Sequence, residues 1–95
     1  MNILKGTITS ASRPEEDSPG VFRVRATLMA DGRERHLIIA WSDGCQGFEH
    51  LKRGNYLEVH TESGQPREIA RYIKIAEREI VIDGQTVTVE QDSLF

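Results

Sequence analysis

The sequence predicts an all-β fold, and three observations carry that prediction. Asp31-Gly32 separates two long runs in which apolar and polar residues alternate, and Asp83-Gly84 repeats the device later in the chain. Asp-Gly is a strong signal for a two-residue hairpin loop, because a type I′ turn needs positive φ at both central positions. Elsewhere the apolar residues also recur mainly with a period of two. Even the segment 67–77, rich in helix formers, spaces its isoleucines as a strand does.

In chain order, "NILKGTITSA" (2–11) reads as a strand, with Gly6 marking a bend or bulge. "SRPEEDSPG" (12–20) holds two prolines, a glycine and the acids Glu15, Glu16 and Asp17, and reads as a loop. The hairpin 21–41 follows. With Asp31 and Gly32 as its loop, Phe22 opposes Trp41, Val24 opposes Ile39, Ala26 opposes Leu37 and Leu28 opposes Arg35. Side chains alternate between faces. One face collects Phe22, Val24, Ala26, Leu28, Leu37, Ile39 and Trp41, and points to the core. The other collects Arg23, Arg25, Thr27, Met29, Glu34, His36, Ile38 and Ala40. A slip of one residue would bury the arginines, so the register is strongly specified.

Residues 42–55 form a connector with a short helix near Phe48–Arg53, closed by Gly54. "YLEVHTE" (56–62) is a strand with Leu57 and Val59 on one side and Tyr56, Glu58 and His60 on the other. "SGQP" is a turn. "REIARYIKIAE" is a strand that sets Ile69, Arg71, Ile73 and Ile75 against Glu68, Ala70, Tyr72 and Lys74. A last hairpin is expected from Glu79 to Val89, and the tail 90–95 is expected to be mobile. The predicted core is Leu4, Ile8, Phe22, Val24, Ala26, Leu28, Leu37, Ile39, Trp41, Leu57, Val59, Ile73 and Ile75.

Length fits one domain spanning 1–95. Such a chain buries roughly two-thirds of its unfolded surface, enough for one core but not for a large internal cavity. The net charge of −3 gives no general attraction to nucleic acid. Its distribution is uneven. Residues 1–53 carry eight Lys/Arg against seven Asp/Glu, and residues 54–95 carry four against eight. The single cysteine, Cys45, forms no internal disulfide and suits a reducing cytoplasm. No stretch approaches the ~20 apolar residues that span a bilayer, so a cytoplasmic protein without a membrane partner is expected.

Arg23 and Arg25 standing together suggest phosphate contacts. The competing reading makes them solvated strand residues paired with acids or facing another subunit. The run "LIIAW" (37–41) is apolar on both faces, and such a strand is usually covered on both. That predicts either a homodimer or the C-terminal hairpin folded over this face. Cys45 with His50 and Asp43 is a weak pattern for a nucleophile or a metal site. "SDGCQGFEH" lacks the Lys and hydroxyl ending of a phosphate loop. The chain is expected not to be an enzyme, with no cofactor and no metal.

Two phrases carry a family resemblance. "ILKGTIT" (3–9) is similar to the glycine-bearing first strand of the OB-fold. Leu51-Lys52-Arg53-Gly54 followed by Tyr56-Leu57-Glu58-Val59 is similar to the entry to its fourth strand. With the order of elements, the stretch Ile3–Ile75 resembles small single-stranded-DNA-binding and primosomal proteins of that fold. The resemblance implies a small five-stranded OB-like barrel with one short helix and an extra C-terminal hairpin. It also implies a binding face on strands two and three. The implied nucleic-acid-binding residues are Arg23, Arg25, Thr27, His36, Lys52, Arg53, Tyr56 and Tyr72, and the implied partner is single-stranded DNA or RNA. Two features depart from that pattern: the loop before the hairpin is acidic, and the hairpin face carries no aromatic platform. The alternative is a protein-interaction or assembly subunit, a homo-oligomer or one docking a protein partner through the same face.

Overall fold

The computed structural model describes residues 2–62, 67–82 and 85–91. Eight strands account for most of them: β1 (Asn2–Ala11), β2 (Glu15–Ser18), β3 (Val21–Ala30), β4 (Arg33–Ser42), β5 (Tyr56–Thr61), β6 (Arg67–Ile75), β7 (Arg78–Val81) and β8 (Val87–Gln91). A 3-10 turn, Phe48–His50, stands where the longer helix to Arg53 was expected.

The β3–β4 hairpin adopts the register required by a two-residue loop. Phe22 pairs with Trp41, Val24 with Ile39, Ala26 with Leu37 and Leu28 with Arg35. Asp31 and Gly32 take φ values of 52° and 74°, both in the left-handed region. A side chain at Gly32 would meet nothing within 4 Å, so substitution there is resisted by the backbone alone. Gly32→Ala is therefore expected to cost about 1–2 kcal/mol, the ordinary penalty of that conformation for an L-residue, in a urea titration. A change below a few tenths would contradict the turn geometry.

The sheet closes on itself in the order β1-β5-β6-β8-β4-β3, with β3 returning to β1. Without β8, the order of β1, β3, β4, β6 and β5 is that of an OB barrel, in which the fifth strand stands between the third and the fourth. Here β8 stands between β4 and β6 and pairs with both, making an OB-like barrel of six antiparallel strands. β1 serves two neighbours: Asn2–Thr7 pair with β5 and Thr7–Ala11 with β3, with a register shift at Thr9. Gly6 lies at this changeover. A Cβ there would collide with the carbonyl of Met29. Close approach of two backbones, not a turn, explains that glycine.

Three expectations are corrected. The acidic segment 12–20 is not all loop, because Glu15–Ser18 form β2 against the edge of β3. Its composition disfavours a strand, but the unpaired groups of β3 offer a ladder that overrides that preference. The two arms of the expected 79–89 hairpin form strands that part company. β7 pairs with the second half of β6, while β8 pairs with the first half of β6 and with β4. The turn residues Asp83 and Gly84 lie outside the described residues. Finally, β6 does not alternate throughout. A register shift makes His60 face Tyr72 and Thr61 face Ala70, so Arg71 bulges out. Ala70 is thereby buried, and Ile69, which strict alternation sets on the side of Ile73 and Ile75, is 58% exposed. Of the tail expected to be mobile, Glu90 and Gln91 belong to β8, and 92–95 lie outside the described residues.

The core follows the predicted alternation. Ile8, Val24, Ala26, Leu28, Leu37, Ile39, Trp41, Leu57, Val59, Ile73 and Ile75 are buried, with Leu4 and Phe22 packed partly buried against them. Phe48, Leu51, Ala70, Val87 and Val89 complete it. Phe48 stacks on Trp41 with ring centroids 4.4 Å apart and planes at 8°, and so closes one end of the barrel. The other end opens on a concavity of about 380 Å³ over Leu4, Leu37, Val59 and Val89. There the buried Thr61 hydroxyl donates to Glu68, whose second carboxylate oxygen accepts from the Asn2 amide at 3.0 Å.

Candidate nucleic-acid interface

The pleat that sends Val24, Ala26 and Leu28 inward turns Arg23, Arg25, Thr27 and Met29 outward. Cross-strand pairing then fixes their neighbours. Arg23 lies opposite Ala40, Arg25 opposite Ile38, Thr27 opposite His36 and Met29 opposite Glu34. Thr27 Oγ1 and His36 Nδ1 are 3.2 Å apart. Arg25 is anchored through its main chain: its N–H donates to Ser12 Oγ at 3.0 Å, and its carbonyl accepts from Ser12 N–H at 2.8 Å. Arg23, Arg25, Thr27 and His36 thus share one face, as the register required.

That face is wider than the hairpin. Thr88 of β8 lies opposite Ala40 and Glu90 opposite Ile38, and beyond them on β6 come Ile69 and Arg67. The outward surface of β3, β4, β8 and β6 therefore carries a strip of Ile38, Ala40, Thr88 and Ile69. Arg23 and Arg25 border it on one side and Arg67 on the other. The alternation of "TVTVE" (86–90) was legible as a strand, but nothing local announced that it would wedge beside β4. Thr88, Glu90, Arg67 and Ile69 were missed for that reason. β8 also lies in the plane of the sheet, so, among the described residues, the strands expected to form the C-terminal hairpin do not fold over Ile38 and Ala40 as one expectation had it.

Negative charge accompanies the arginines. β2 runs along β3, with Glu15 opposite Arg23, and Asp17 Oδ1 lies 3.6 Å from Arg23 Nη1. Both side chains of that pair are more than a third exposed, so it contributes about 0–1 kcal/mol to folding. Its larger consequence is local, because it offsets charge that would meet a phosphate.

The other expected residues are more scattered. Lys52 and Arg53 are exposed in the turn leading to β5, held against β1 by Gly54 N–H donating to the Ile8 carbonyl at 2.7 Å. Tyr56 lies opposite Thr7 of β1, which lies opposite Met29, so it is one strand removed from the hairpin face. Tyr72 stands apart, on the wall made by β5, β6 and β7. Its ring lies 4.6 Å from that of His60, whose Nε2 is 3.1 Å from Glu58 Oε2. Tyr56 donates to the other oxygen of Glu58 at 3.3 Å. Loss of solvent, and then Glu58, push the Tyr56 phenol above its usual range. Loss of solvent, and then a hydrogen bond to Glu79, do the same for Tyr72. The Tyr72 ring therefore packs against His60, while the Tyr56 ring is exposed with its hydroxyl held by Glu58.

Cys45 sits in the connector with Sγ 3.7 Å from Ser42 Oγ, and His50 Nε2 is 3.5 Å from Glu49 Oε1. Among the described residues no three His, Cys, Asp or Glu side chains cluster as metal ligands. No helix among them is long and apolar enough to cross a membrane. Compared with protein-family models, curated proteins and solved structures, the chain finds no match.

Proposed function

We propose that this chain is a non-enzymatic binding module of the OB type that holds single-stranded nucleic acid on the outward face of β3, β4 and β8. The observation that carries the reading is the joint placement of Arg23, Arg25, Thr27 and His36 on the strands that occupy the second and third positions of an OB-like barrel. Guanidinium groups bind phosphate as a planar fork and stack on bases, which offsets the missing aromatic platform in part. Ile38 and Ala40 give the bases an apolar floor, bordered by Thr88 and Glu90 of β8. Lys52, Arg53 and Tyr56 extend the path over β1, and Tyr72 has no part in it. The acidic β2 holds affinity down. The single cysteine fits a cytoplasmic setting.

Fluorescence anisotropy with labelled single-stranded DNA and RNA, at two salt concentrations, tests this. Binding is expected to weaken with salt at a slope of about −0.7 per phosphate contacted. Arg25→Ala is expected to weaken it roughly tenfold and to flatten the slope by one contact, within the range for a charged hydrogen bond. Asp17→Asn is expected to tighten it. Binding that ignores both substitutions, or none at low salt, would overturn the reading.

A second reading has its own observation. Ile38, Ala40 and Thr88 lead to Ile69, which is largely exposed, and an apolar strip bordered by charge also suits a protein contact. That favours an assembly subunit, as a homodimer or with a protein partner. Light scattering coupled to size exclusion separates the two: a monomer that binds oligonucleotide supports the first, and a dimer dissociated by Ile69→Lys supports the second.

A further inference from the structure

We infer that the outward wall of β1, β5, β6 and β7 docks a second copy of this chain, the two copies being related by a two-fold axis that runs along the strands between β5 and β6. The inference is independent of the nucleic-acid reading, and the surface is distinct from the strip of Ile38, Ala40 and Ile69.

Strand pairing lines the outward residues of this wall into rows. Lys5 of β1 lies opposite Glu58 of β5, Glu58 opposite Lys74 of β6, and Lys74 opposite Glu79 of β7. Read across the four strands, the row is plus, minus, plus, minus. Lys5 and Glu79 are exposed at its ends, and Glu58 and Lys74 are half-buried at its centre. The row beside it runs Ile3, His60, Tyr72 and Val81 through the same pairings. Ile3 is 54% and Val81 72% exposed, and the His60 and Tyr72 rings stand between them. The wall thus offers apolar surface beside a row of charges that sum to zero.

A two-fold interface sets one patch against itself. With the axis along the strands, each row meets its own reverse. Lys5 then faces the partner's Glu79, and Glu58 faces the partner's Lys74, so every charge meets its opposite. Ile3 meets the partner's Val81, and His60 meets the partner's Tyr72. An axis laid along the charged row would instead set each charge against itself, which is strongly unfavourable. The order of charges therefore selects one arrangement, and the chain itself carries the complement that an unrelated partner would have to supply. Lys5 and Glu79 hold the outer positions, where long side chains span the gap that sheet twist opens. Charges at such a contact fix register more than they add affinity, and the apolar row supplies the burial. The two rows present eight side chains per copy, against roughly 20–30 residues a side in a standard interface. The dimer is accordingly weak and reversible.

Sedimentation velocity of the full chain, from micromolar to millimolar concentration, tests this with the variants Lys5→Glu and Glu79→Lys. Each substitution alone sets like charges together twice in the homodimer and is expected to weaken association at least about tenfold. An equimolar mixture of the two variants is expected to regain wild-type association, because in the mixed pair every charge again meets its opposite. Mixing does not rescue a misfolded variant, so the regain reports the contact itself. Dilution of the isotope-labelled wild-type chain should move amide signals at 3–5, 58–60, 72–74 and 79–81, and this map decides the matter if either variant fails to fold. Ile69→Lys should leave association unchanged. A monomer at millimolar concentration, a mixture of folded variants no tighter than either alone, or dilution shifts confined to another surface would overturn the inference. Dissociation by Ile69→Lys would also overturn it, by placing the dimer on the hairpin face.

Discussion

Trp41→Ala is expected to remove about 3–5 kcal/mol of folding stability, the cost of truncating a buried aromatic side chain. Trp41 is 7% exposed. Its ring stacks on Phe48 at 4.4 Å and lies 6.3 Å from Phe22, so it joins the hairpin to the 3-10 turn that closes the barrel. Without the indole, Phe48 loses its partner and the turn loses its reason to stay. Small domains have about 5–15 kcal/mol in total, so the variant stands near the threshold of folding. Urea unfolding followed by far-ultraviolet circular dichroism measures the loss, and Trp41→Phe should restore much of it. A cost under 1 kcal/mol for alanine would mean that the indole is not a core element.

Gly6→Ala is expected to be nearly as damaging for the opposite reason. The new methyl would sit 2.9 Å from the Met29 carbonyl carbon and 3.2 Å from Ala30 Cα, with the Met29 oxygen nearer still. Overpacking costs about 1–3 kcal/mol where side chains can yield. Here the obstacle is main chain, so the upper part of that range or more is expected. Relief requires β1 to move from β3 at the changeover that closes the barrel. The expected signature is a loss of stability together with faster hydrogen exchange in Thr7–Ala11. Normal stability in the alanine variant would contradict the close approach.

These two sites differ in how visible they were in the sequence. The inward turn of Trp41 followed from one dipeptide, because Asp31-Gly32 fixes the register and the register fixes every face of the hairpin. Gly6 was legible as a special position, but not as a crossing, since its obstacle lies more than twenty residues away at Met29. The same limit explains the rest. Segments "REIV" (78–81) and "TVTVE" (86–90) announced strands, and their partners were set by a closure to which β4 and β6 contribute distant edges. Arg71 bulges because Ala70 and Ile73 must both face inward, a demand made by β5 and not by the local pattern. In the candidate interface, Arg23, Arg25, Thr27 and His36 came from local alternation and meet as expected. Tyr72 was grouped with them on chemistry alone, and pairing sends it to another wall. Thr88, Glu90, Arg67 and Ile69 arrive on the face through non-local pairing that no local pattern encodes.

The most direct measurement is an amide chemical-shift map of the isotope-labelled chain titrated with a short oligothymidine at low salt. The account predicts saturable shifts along Arg23–Met29, His36–Ala40 and Thr88–Glu90, weaker ones at Lys52–Tyr56, and reversal on adding salt. Shifts confined to the β5–β6–β7 wall around Tyr72, or no shifts at millimolar oligonucleotide, would contradict it.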